Sequence, residues 1–385
     1  MDLKLFFAPL SNELANCTND RNSFLNNIAV YHENLPNYKE ADIALVGIGN
    51  LEDEKGAAIE LASDQVRKKL YKLKKGFGAY KIVDLGNLKK GIDSIETSTR
   101  LQEVCQNLLE HNTLPIIIGG SHNFDYAQYK AYEDMNKLIS FLNVDAFLDM
   151  ESDDELPENQ KHIQQVLLHE PNYLFSYSHL AYQSYLINRE SIDILEKLYF
   201  DAYRIGSLRD RIPDMEPVIR DADMLSFDIT AIRSSDAPGT DRSQPFGLTG
   251  EEACQICWYA GINEKLSSIG FYEYNPQLDD DRYKTASVIS TMVWYFIEGF
   301  YHRKKELNFK SNDYMKYVVS MQGDPETLLF YKSKLSEKWW MEVPHPTSNE
   351  KYTRNSIVPC SYTDYDMATK GNLPERYITT YNKLI

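Results

Sequence analysis

The residues best suited to chemistry in this chain are one histidine and three aspartates that lie far apart in the sequence. His122 follows a Gly-Gly pair, Asp145 and Asp149 are four positions apart, and Asp228 ends an apolar run. One imidazole and three carboxylates suit a borderline-hard cation such as Mn²⁺, with Fe²⁺ or Zn²⁺ as alternatives. Clustered carboxylates also need a cation or shared protons, because like charges at short range raise one another's pKa. These residue types predict a metal site if the fold brings them together.

Each of these residues also has a purely structural interpretation when it is taken alone. An aspartate at the end of a strand often caps the helix that follows, and a Gly-Gly pair is often only a turn. The metal interpretation therefore depends on the elements that position the four side chains.

Short apolar runs that end in Gly, Asp or Asn predict strands. They cover residues 43–48, 81–85, 114–118, 138–144, 202–205, 224–227 and 268–272. Segments between them, such as 97–110 and 249–265, have helical spacing. A repeated strand, helix, strand order predicts right-handed crossovers and a mostly parallel sheet. Apolar runs without alternation are typical of strands that are covered on both faces, so we predict a three-layer α/β/α fold.

The polar residues of this sequence collect at the ends of the predicted strands. His122, Asp145, Asp228 and Glu273 each end or follow such a run. Functional groups in parallel sheets gather beyond the carboxyl ends of the strands. The predicted fold therefore gives these residues a common edge.

Changes in composition suggest three parts of the chain. We predict an N-terminal extension over residues 1–40, an α/β domain over 41–305, and a small appended α/β element over 306–385, which contains a Trp-Trp pair and many tyrosines. Residues 151–183 are predicted to be a long connection, and long connections in compact domains are often functional.

Charge and composition exclude several classes of protein. The formal net charge of −16 repels phosphate backbones, so no nucleic acid is expected as a partner. No apolar run reaches the ~18 residues of a membrane helix, and no signal peptide is evident. Five scattered cysteines do not suggest a disulfide framework. These features predict a cytoplasmic protein with no membrane partner.

Cys254 and Cys257 form a C-x-x-C pair in a segment with helical spacing. No second pair of cysteines or histidines lies nearby, so we interpret them as thiols on a helix rather than a redox or zinc site.

Five segments, in order, resemble the arginase-like ureohydrolase superfamily. They read LPIIIGGSHN (114–123), NVDAFLD (143–149), SFDITAIRSSDAPGT (226–240), GLTGE (247–251) and EYNPQLD (273–279), the last followed by KTA (284–286). The resemblance spans about residues 41 to 300. Length and the aromatic connection favour the formimidoylglutamase-like members.

The resemblance implies two Mn²⁺ ions that are bridged by hydroxide, which attacks the central carbon of a guanidinium or amidine. The ligands of the first ion match His122, Asp145, Asp149 and Asp228. The second ion shares Asp145 and Asp228, and its two further ligands fall on Phe147 and Thr230. Phenylalanine cannot bind a metal, and a threonine hydroxyl is a poor substitute for a carboxylate. One Mn²⁺ is therefore expected rather than two.

Other departures and matches concern the surroundings of the ions. Ser121 replaces the aspartate beside the histidine, which alters the support of that histidine. Arg233 stands where the family has aspartate and could supply charge in place of the missing ion, or it could be a surface arginine. Glu273 matches the carboxylate that receives the substrate, and Asp149 is expected to take part in catalysis. The proton-shuttle histidine could be His162, His169 or His179, of which we choose His179.

Two functions of different class follow from these features. The first is a hydrolase of linear amidines or guanidines, of the formimidoylglutamate, agmatine or arginine type, that works with one metal ion. The alternative is a protein without catalysis, with or without metal, that binds a ligand or a partner protein. A different reaction on the same scaffold also stays open. The family implies a small cationic substrate and a homo-oligomer.

Overall fold

The computed structural model describes residues 2–49, 62–135, 137–151, 153, 155–209, 211–344 and 356–384. Parts of the predicted terminal segments, residues 1, 345–355 and 385, lie outside the described residues. Within the described part, a large and mostly parallel sheet is followed by a smaller antiparallel sheet.

In the described part of the chain, the large sheet contains ten strands and the small sheet four. The large sheet is built from β1 (Phe7–Ala8), β2 (Ala29–Val30), β3 (Ile43–Ile48), β4 (Ile82–Leu88), β5 (Leu114–Ile118), β6 (Ile139–Val144), β7 (Leu174–Tyr182), β8 (Asp201–Arg204), β9 (Met224–Asp228) and β10 (Ser268–Tyr272). The small sheet is built from β11 (Tyr314–Ser320), β12 (Thr327–Ser333), β13 (Trp339–Glu342) and β14 (Ile357–Cys360).

The α-helices lie between and after these strands. They are α1 (Asn12–Ala15), α2 (Ala62–Leu70), α3 (Ser94–Glu110), α4 (Phe124–Lys130), α5 (His162–Leu167), α6 (Arg189–Lys197), α7 (Ile205–Leu208), α8 (Glu216–Arg220), α9 (Gly250–Ile262), α10 (Lys284–Tyr301), α11 (Tyr362–Thr369) and α12 (Glu375–Leu384). No described helix combines the length and the apolar character that crossing a membrane requires.

The strands of the large sheet follow the order β1-β4-β3-β5-β10-β9-β6-β7-β8, and β2 also pairs with β4. All of these pairs are parallel except the one between β1 and β4. The two short N-terminal strands therefore extend one edge of the sheet instead of forming a separate body.

Helices cover both faces of the large sheet. Ala44 and Val46 of β3 belong to one core together with residues of α3 and α4, whereas Ile43 and Leu45 belong to the opposite core with residues of α2, α9 and α10. Successive side chains of a strand point to opposite faces, so a continuous apolar run needs a core on each side. The predicted three-layer fold with a mostly parallel sheet is confirmed.

The small sheet follows α10 in the chain. It is antiparallel in the order β11-β12-β13-β14, and α11 and α12 complete the C-terminal segment. An appended C-terminal element is therefore present, and its strands are antiparallel.

One predicted segment was wrong. Residues 151–183 were expected to be a connection, but they include α5 and the nine residues of β7. Strand β7 is buried yet rich in Ser, Tyr and His, so it lacks the apolar run that marks the other strands.

Candidate metal centre

Four neighbouring strands, β5, β10, β9 and β6, bring the predicted site together. Because they are parallel, their carboxyl ends lie at the same edge of the sheet. His122 follows β5, Glu273 follows β10, Asp228 ends β9, and Asp145 follows β6. Asp149 comes in the turn after β6 with a φ of +48°, a left-handed conformation that Asp tolerates better than most residues.

The Gly-Gly pair before His122 is a turn that only glycine fits. Gly119 and Gly120 have φ values of +91° and +83°, in the region that side chains disfavour. A Cβ atom on Gly119 would lie 2.8 Å from the carbonyl oxygen of Ile48. The turn therefore places His122 close to the neighbouring backbone, at the edge where the carboxylates lie.

Three buried atoms of the site converge without a hydrogen-bond partner among the described residues. They are Nδ1 of His122, Oδ2 of Asp145 and Oδ2 of Asp228. The histidine nitrogen lies 3.4 Å from the Asp145 oxygen and 3.0 Å from the Asp228 oxygen. Neighbouring donors around an octahedral divalent ion, each roughly 2.1 Å from it, lie about 3 Å apart. The spacing and the unpaired atoms therefore fit one divalent cation.

The ionisation of these groups also indicates a place for a cation. Burial lowers the pKa of His122, but the carboxylates of Asp145 and Asp228 outweigh it and hold that pKa well above its usual value. Burial and the carboxylates of Asp228 and Asp149 raise the pKa of Asp145 to about 7. Without a metal, protons compensate part of the negative charge that a bound cation would otherwise balance.

The other ring nitrogen of His122 points away from this cluster. Nε2 lies 2.8 Å from the hydroxyl of Ser226 and 3.6 Å from a carboxylate oxygen of Asp125. A proton on Nε2 leaves the lone pair of Nδ1 for a metal, which is how partners on the far side of a histidine fix its tautomer.

His162 and Asp125 belong to the site, although the sequence did not assign them as a ligand and its partner. The rings of His162 and His122 lie 4.1 Å apart. Nδ1 of His162 is 2.8 Å from Asp125, and Nε2 is 3.6 Å from Asp149. Ligand atoms of His122, Asp145, Asp149 and His162 all lie within 4.8 Å of one another. His162 is therefore a further candidate ligand that Asp125 orients.

The two positions expected to bind a second ion hold no such ligand. The ring of Phe147 lies 4.1 Å from Cζ of Arg242. The hydroxyl of Thr230 donates a hydrogen bond of 2.8 Å to Oδ1 of Asp145. The residues present fit one divalent ion and do not fit a second.

The arginine that faces the carboxylates of the site is Arg242, and not Arg233. Its Nη1 and Nη2 donate to the two oxygens of Asp149 at 2.9 Å each, and Nη2 lies 3.8 Å from Oδ2 of Asp228. Burial raises the pKa of Asp149, but these hydrogen bonds outweigh it and hold that pKa well below its usual value. Arg233 instead pairs with Asp236 at 3.0 Å and its side chain is 42% exposed, so of the two alternatives for Arg233 the structure supports the surface arginine.

Glu273 lies beside the metal ligands. Its Oε1 accepts hydrogen bonds from the backbone of His122 at 2.6 Å, from Ser121 at 3.1 Å and from Asn159 at 3.0 Å. Burial and the charge of Asp228 raise the pKa of this carboxyl. Ser121 therefore supports Glu273 rather than the ring of His122.

His179 does not have the environment of a proton shuttle. It lies within β7, and its side chain is buried. Nδ1 lies 2.8 Å from the hydroxyl of Tyr177, and Nε2 lies 3.1 Å from the backbone oxygen of Asp145. Burial lowers the pKa of His179 to about 4, so the ring is neutral. Since the carbonyl can only accept, Nε2 carries the proton and Nδ1 accepts from tyrosine, which leaves no nitrogen free.

A cavity of about 200 Å³ borders the site. Phe147, Asp149 and Arg242 are among the residues that line it, together with Ile187 and Asn188. A cavity of this size next to the candidate ligands has room for a small molecule.

The class of protein follows from this fold and site. A model of the arginase family matches residues 42–298, which include every candidate ligand. The chain belongs to the arginase family.

The similar proteins include formimidoylglutamases. That of Staphylococcus haemolyticus is 25% identical over 227 residues, which cover 56% of this chain and 71% of that protein. That of Staphylococcus carnosus is 26% identical over 231 residues, with 56% and 72% covered. The predicted resemblance to formimidoylglutamase-like members of the family is confirmed.

Solved structures share the fold. Trypanosoma cruzi formiminoglutamase with Mn²⁺ has a TM-score of 0.62 at 19% identity, covering 70% of this chain and 96% of that chain. Bacillus subtilis formimidoylglutamase has a TM-score of 0.62 at 18% identity, with 74% and 94% covered.

Proposed function

We propose that this chain is a hydrolase of a linear amidine or guanidine that works with one divalent cation. The observation that carries the proposal is the convergence of the unpaired atoms of His122, Asp145 and Asp228 beside the carboxylate of Glu273. The names of the similar proteins favour N-formimidoylglutamate as the substrate, and agmatine and arginine are the alternatives.

The cation would be held by His122, Asp145, Asp149 and Asp228, with His162 next to them. Asp149 can accept from an arginine and still face an ion, because a carboxylate has about four acceptor positions. A divalent cation lowers the pKa of bound water towards ~7, which supplies a hydroxide nucleophile at neutral pH. We propose that the ion is Mn²⁺. This ion suits carboxylate and imidazole ligands, and the crystal structure of Trypanosoma cruzi formiminoglutamase, which has the same fold, contains it.

Glu273 would receive the cationic end of the substrate. Three donors hold its Oε1, and no described residue donates to its Oε2. A planar amidinium or guanidinium offers N–H groups to a carboxylate in a strong, directional pair. Burial and the charge of Asp228 disfavour the ionised carboxylate, so a cationic substrate would restore its charge.

The test combines metal analysis with a hydrolysis assay. We expect about one Mn²⁺ per chain and release of formamide from formimidoylglutamate, or of urea from agmatine or arginine. Asp228→Asn should lose both the ion and the activity. Asp193→Asn, which changes an exposed aspartate of α6, should keep both. Protein that binds no ion after incubation with Mn²⁺ would rule the proposal out.

A second candidate function is that of a protein that binds an amidine or guanidine without hydrolysing it. The observation that favours it is the loss of the second ion's ligands at Phe147 and Thr230. Calorimetric titration with agmatine or formimidoylglutamate that shows binding but no turnover would support this candidate, and turnover by the unmodified protein would eliminate it.

We also propose that the protein acts as a homo-oligomer in the cytoplasm. All five cysteines are free thiols, which suits a reducing compartment. Sedimentation of the purified protein would test the oligomeric state.

A further inference from the structure

We propose that the guanidinium of Arg242 replaces the second metal ion, so that the centre consists of one divalent cation and one built-in arginine. This inference uses the metal ligands of the proposed function, but its test does not depend on activity.

Arg242 faces one carboxylate that the family resemblance assigns to the first ion alone, Asp149, and one that the two ions would share, Asp228. It donates to both oxygens of Asp149 at 2.9 Å and lies 3.8 Å from Oδ2 of Asp228. The side chain of Arg242 is 19% exposed and that of Asp149 only 3%. A guanidinium keeps its charge at any pH of interest and binds a carboxylate through two parallel hydrogen bonds. Arg242 therefore neutralises a buried group that a metal would otherwise have to balance alone.

Phe147 supports this arginine. In the resemblance to the family, its position is that of a ligand of the second ion. A phenyl ring cannot bind a metal, but its face attracts a guanidinium, and Cζ of Arg242 lies 4.1 Å from the ring centre. Phenylalanine at position 147 thus removes a ligand of the second metal ion and provides a ring face for the guanidinium of Arg242.

Thr230 completes the replacement. Its hydroxyl and the backbone N–H of Phe147 donate to Oδ1 of Asp145 at 2.8 and 3.0 Å, and its own N–H donates to Oδ1 of Asp228 at 2.7 Å. Each of the two aspartates that would bridge two ions thus has one oxygen bonded to the protein. The Oδ2 atoms remain for the first ion.

The backbone of Arg242 is also held in place. The side-chain amide of Gln244 donates a hydrogen bond of 2.7 Å to its carbonyl oxygen. This hydrogen bond holds the backbone from which the guanidinium reaches Asp149 and the ring of Phe147.

The decisive experiment restores the two ligands with and without the arginine. Manganese per chain is measured by mass spectrometry after loading and desalting. We expect one ion in the wild type, one in Phe147→His/Thr230→Asp, and two in Phe147→His/Thr230→Asp/Arg242→Ala. A second ion in the double variant, or a triple variant that stays at one, would overturn the proposal.

Thermal melting of the metal-free single variants gives an independent readout. Arg242→Ala should melt several degrees below the wild type, because Asp149 is left buried without its cation. The matched control is Arg233→Ala, an arginine of the same loop that pairs outside the site, and it should melt close to the wild type. Equal melting temperatures for the two variants would contradict the proposal.

The result also separates this inference from the proposed function. If the wild type binds no ion and shows no activity, the proposed function fails. The difference in ion count between the double and triple variants still decides whether Arg242 excludes a cation from the second position.

Discussion

Two histidines from the same stretch of sequence have opposite environments. His179 has both ring nitrogens engaged, by Tyr177 and by the backbone of Asp145. His162 has one nitrogen on Asp125 and leaves Nε2 unpaired and buried, 3.6 Å from Asp149. A buried nitrogen without a partner is costly, so its orientation towards the carboxylates suggests that an ion satisfies it.

We therefore predict that His162→Ala weakens Mn²⁺ binding by about 10- to 100-fold, a size typical for groups that hold or orient metal ligands. The measurement is a calorimetric titration of the metal-free protein with Mn²⁺. His169→Ala is the control, since His169 pairs with Tyr126 at 2.9 Å and is not among the clustered candidate ligands. An unchanged affinity in His162→Ala would exclude His162 from the centre.

Tyr177 gives a second prediction at this scale. Its hydroxyl is the partner of Nδ1 of His179 inside the core. Tyr177→Phe leaves that acceptor buried and unpaired, so we expect the free energy of unfolding to fall by about 1–2 kcal/mol. Urea denaturation measures the change. Tyr199→Phe, at a residue that is 48% exposed, should change it by less, and equal losses would argue against the hydrogen bond.

At the scale of elements, the turn between β5 and α4 determines where His122 lies. Gly119 and Gly120 both have positive φ values, and a Cβ atom on Gly120 would lie 2.9 Å from the ring of Phe124. Phe124 is the first residue of α4. The conformation of this turn thus determines both where α4 begins and where the side chain of His122 lies.

Gly119→Ala should therefore destabilise the protein by about 1–3 kcal/mol, the usual cost of strained backbone, and lower its Mn²⁺ content. The matched control is Gly206→Ala in α7, where an added Cβ atom meets nothing within 4 Å. Denaturation and metal analysis of both variants test the prediction. A Gly119→Ala protein as stable and as well loaded as the control would show that the turn tolerates a side chain.

At the scale of the whole molecule, Arg220 joins the large domain to the C-terminal sheet. It extends from α8, pairs with Glu216 at 2.9 Å, and donates to the carbonyl oxygens of Trp339 and Cys360 at 3.1 and 3.3 Å. Its Cζ lies 4.2 Å from the ring of Trp340. One buried side chain thus contacts both β13 and β14.

Arg220→Ala should lower the free energy of unfolding by about 2 kcal/mol, because two carbonyl groups lose their donor and Glu216 keeps only Lys338, at 3.2 Å, as a cationic partner. Hydrogen exchange should rise in β13 and β14 more than in β5 and β9. Arg211→Ala removes an exposed pair with Asp214 and should change little. Faster exchange spread evenly over the large sheet would contradict a local role.

Most strands of the large sheet, and the convergence of four candidate ligands at one edge of it, could be predicted from the amino-acid sequence. Residues 43–48, 114–118 and 268–272 are strands with the predicted bounds. Apolar runs buried on two faces leave a signal that needs no knowledge of neighbours. The convergence of His122, Asp145, Asp149 and Asp228 could be predicted for the same reason, since each follows or ends such a strand and a parallel sheet brings those ends together.

The side chains that lie beside these candidate ligands depend on the tertiary structure. Arg242 and Arg233 lie in the same loop, and the path of that loop places one on Asp149 and the other on Asp236. The two histidines also lie in different elements: His162 is the first residue of α5, whereas His179 lies inside β7. Contacts between residues far apart in sequence depend on loop geometry and on packing from several elements at once, which local patterns do not encode.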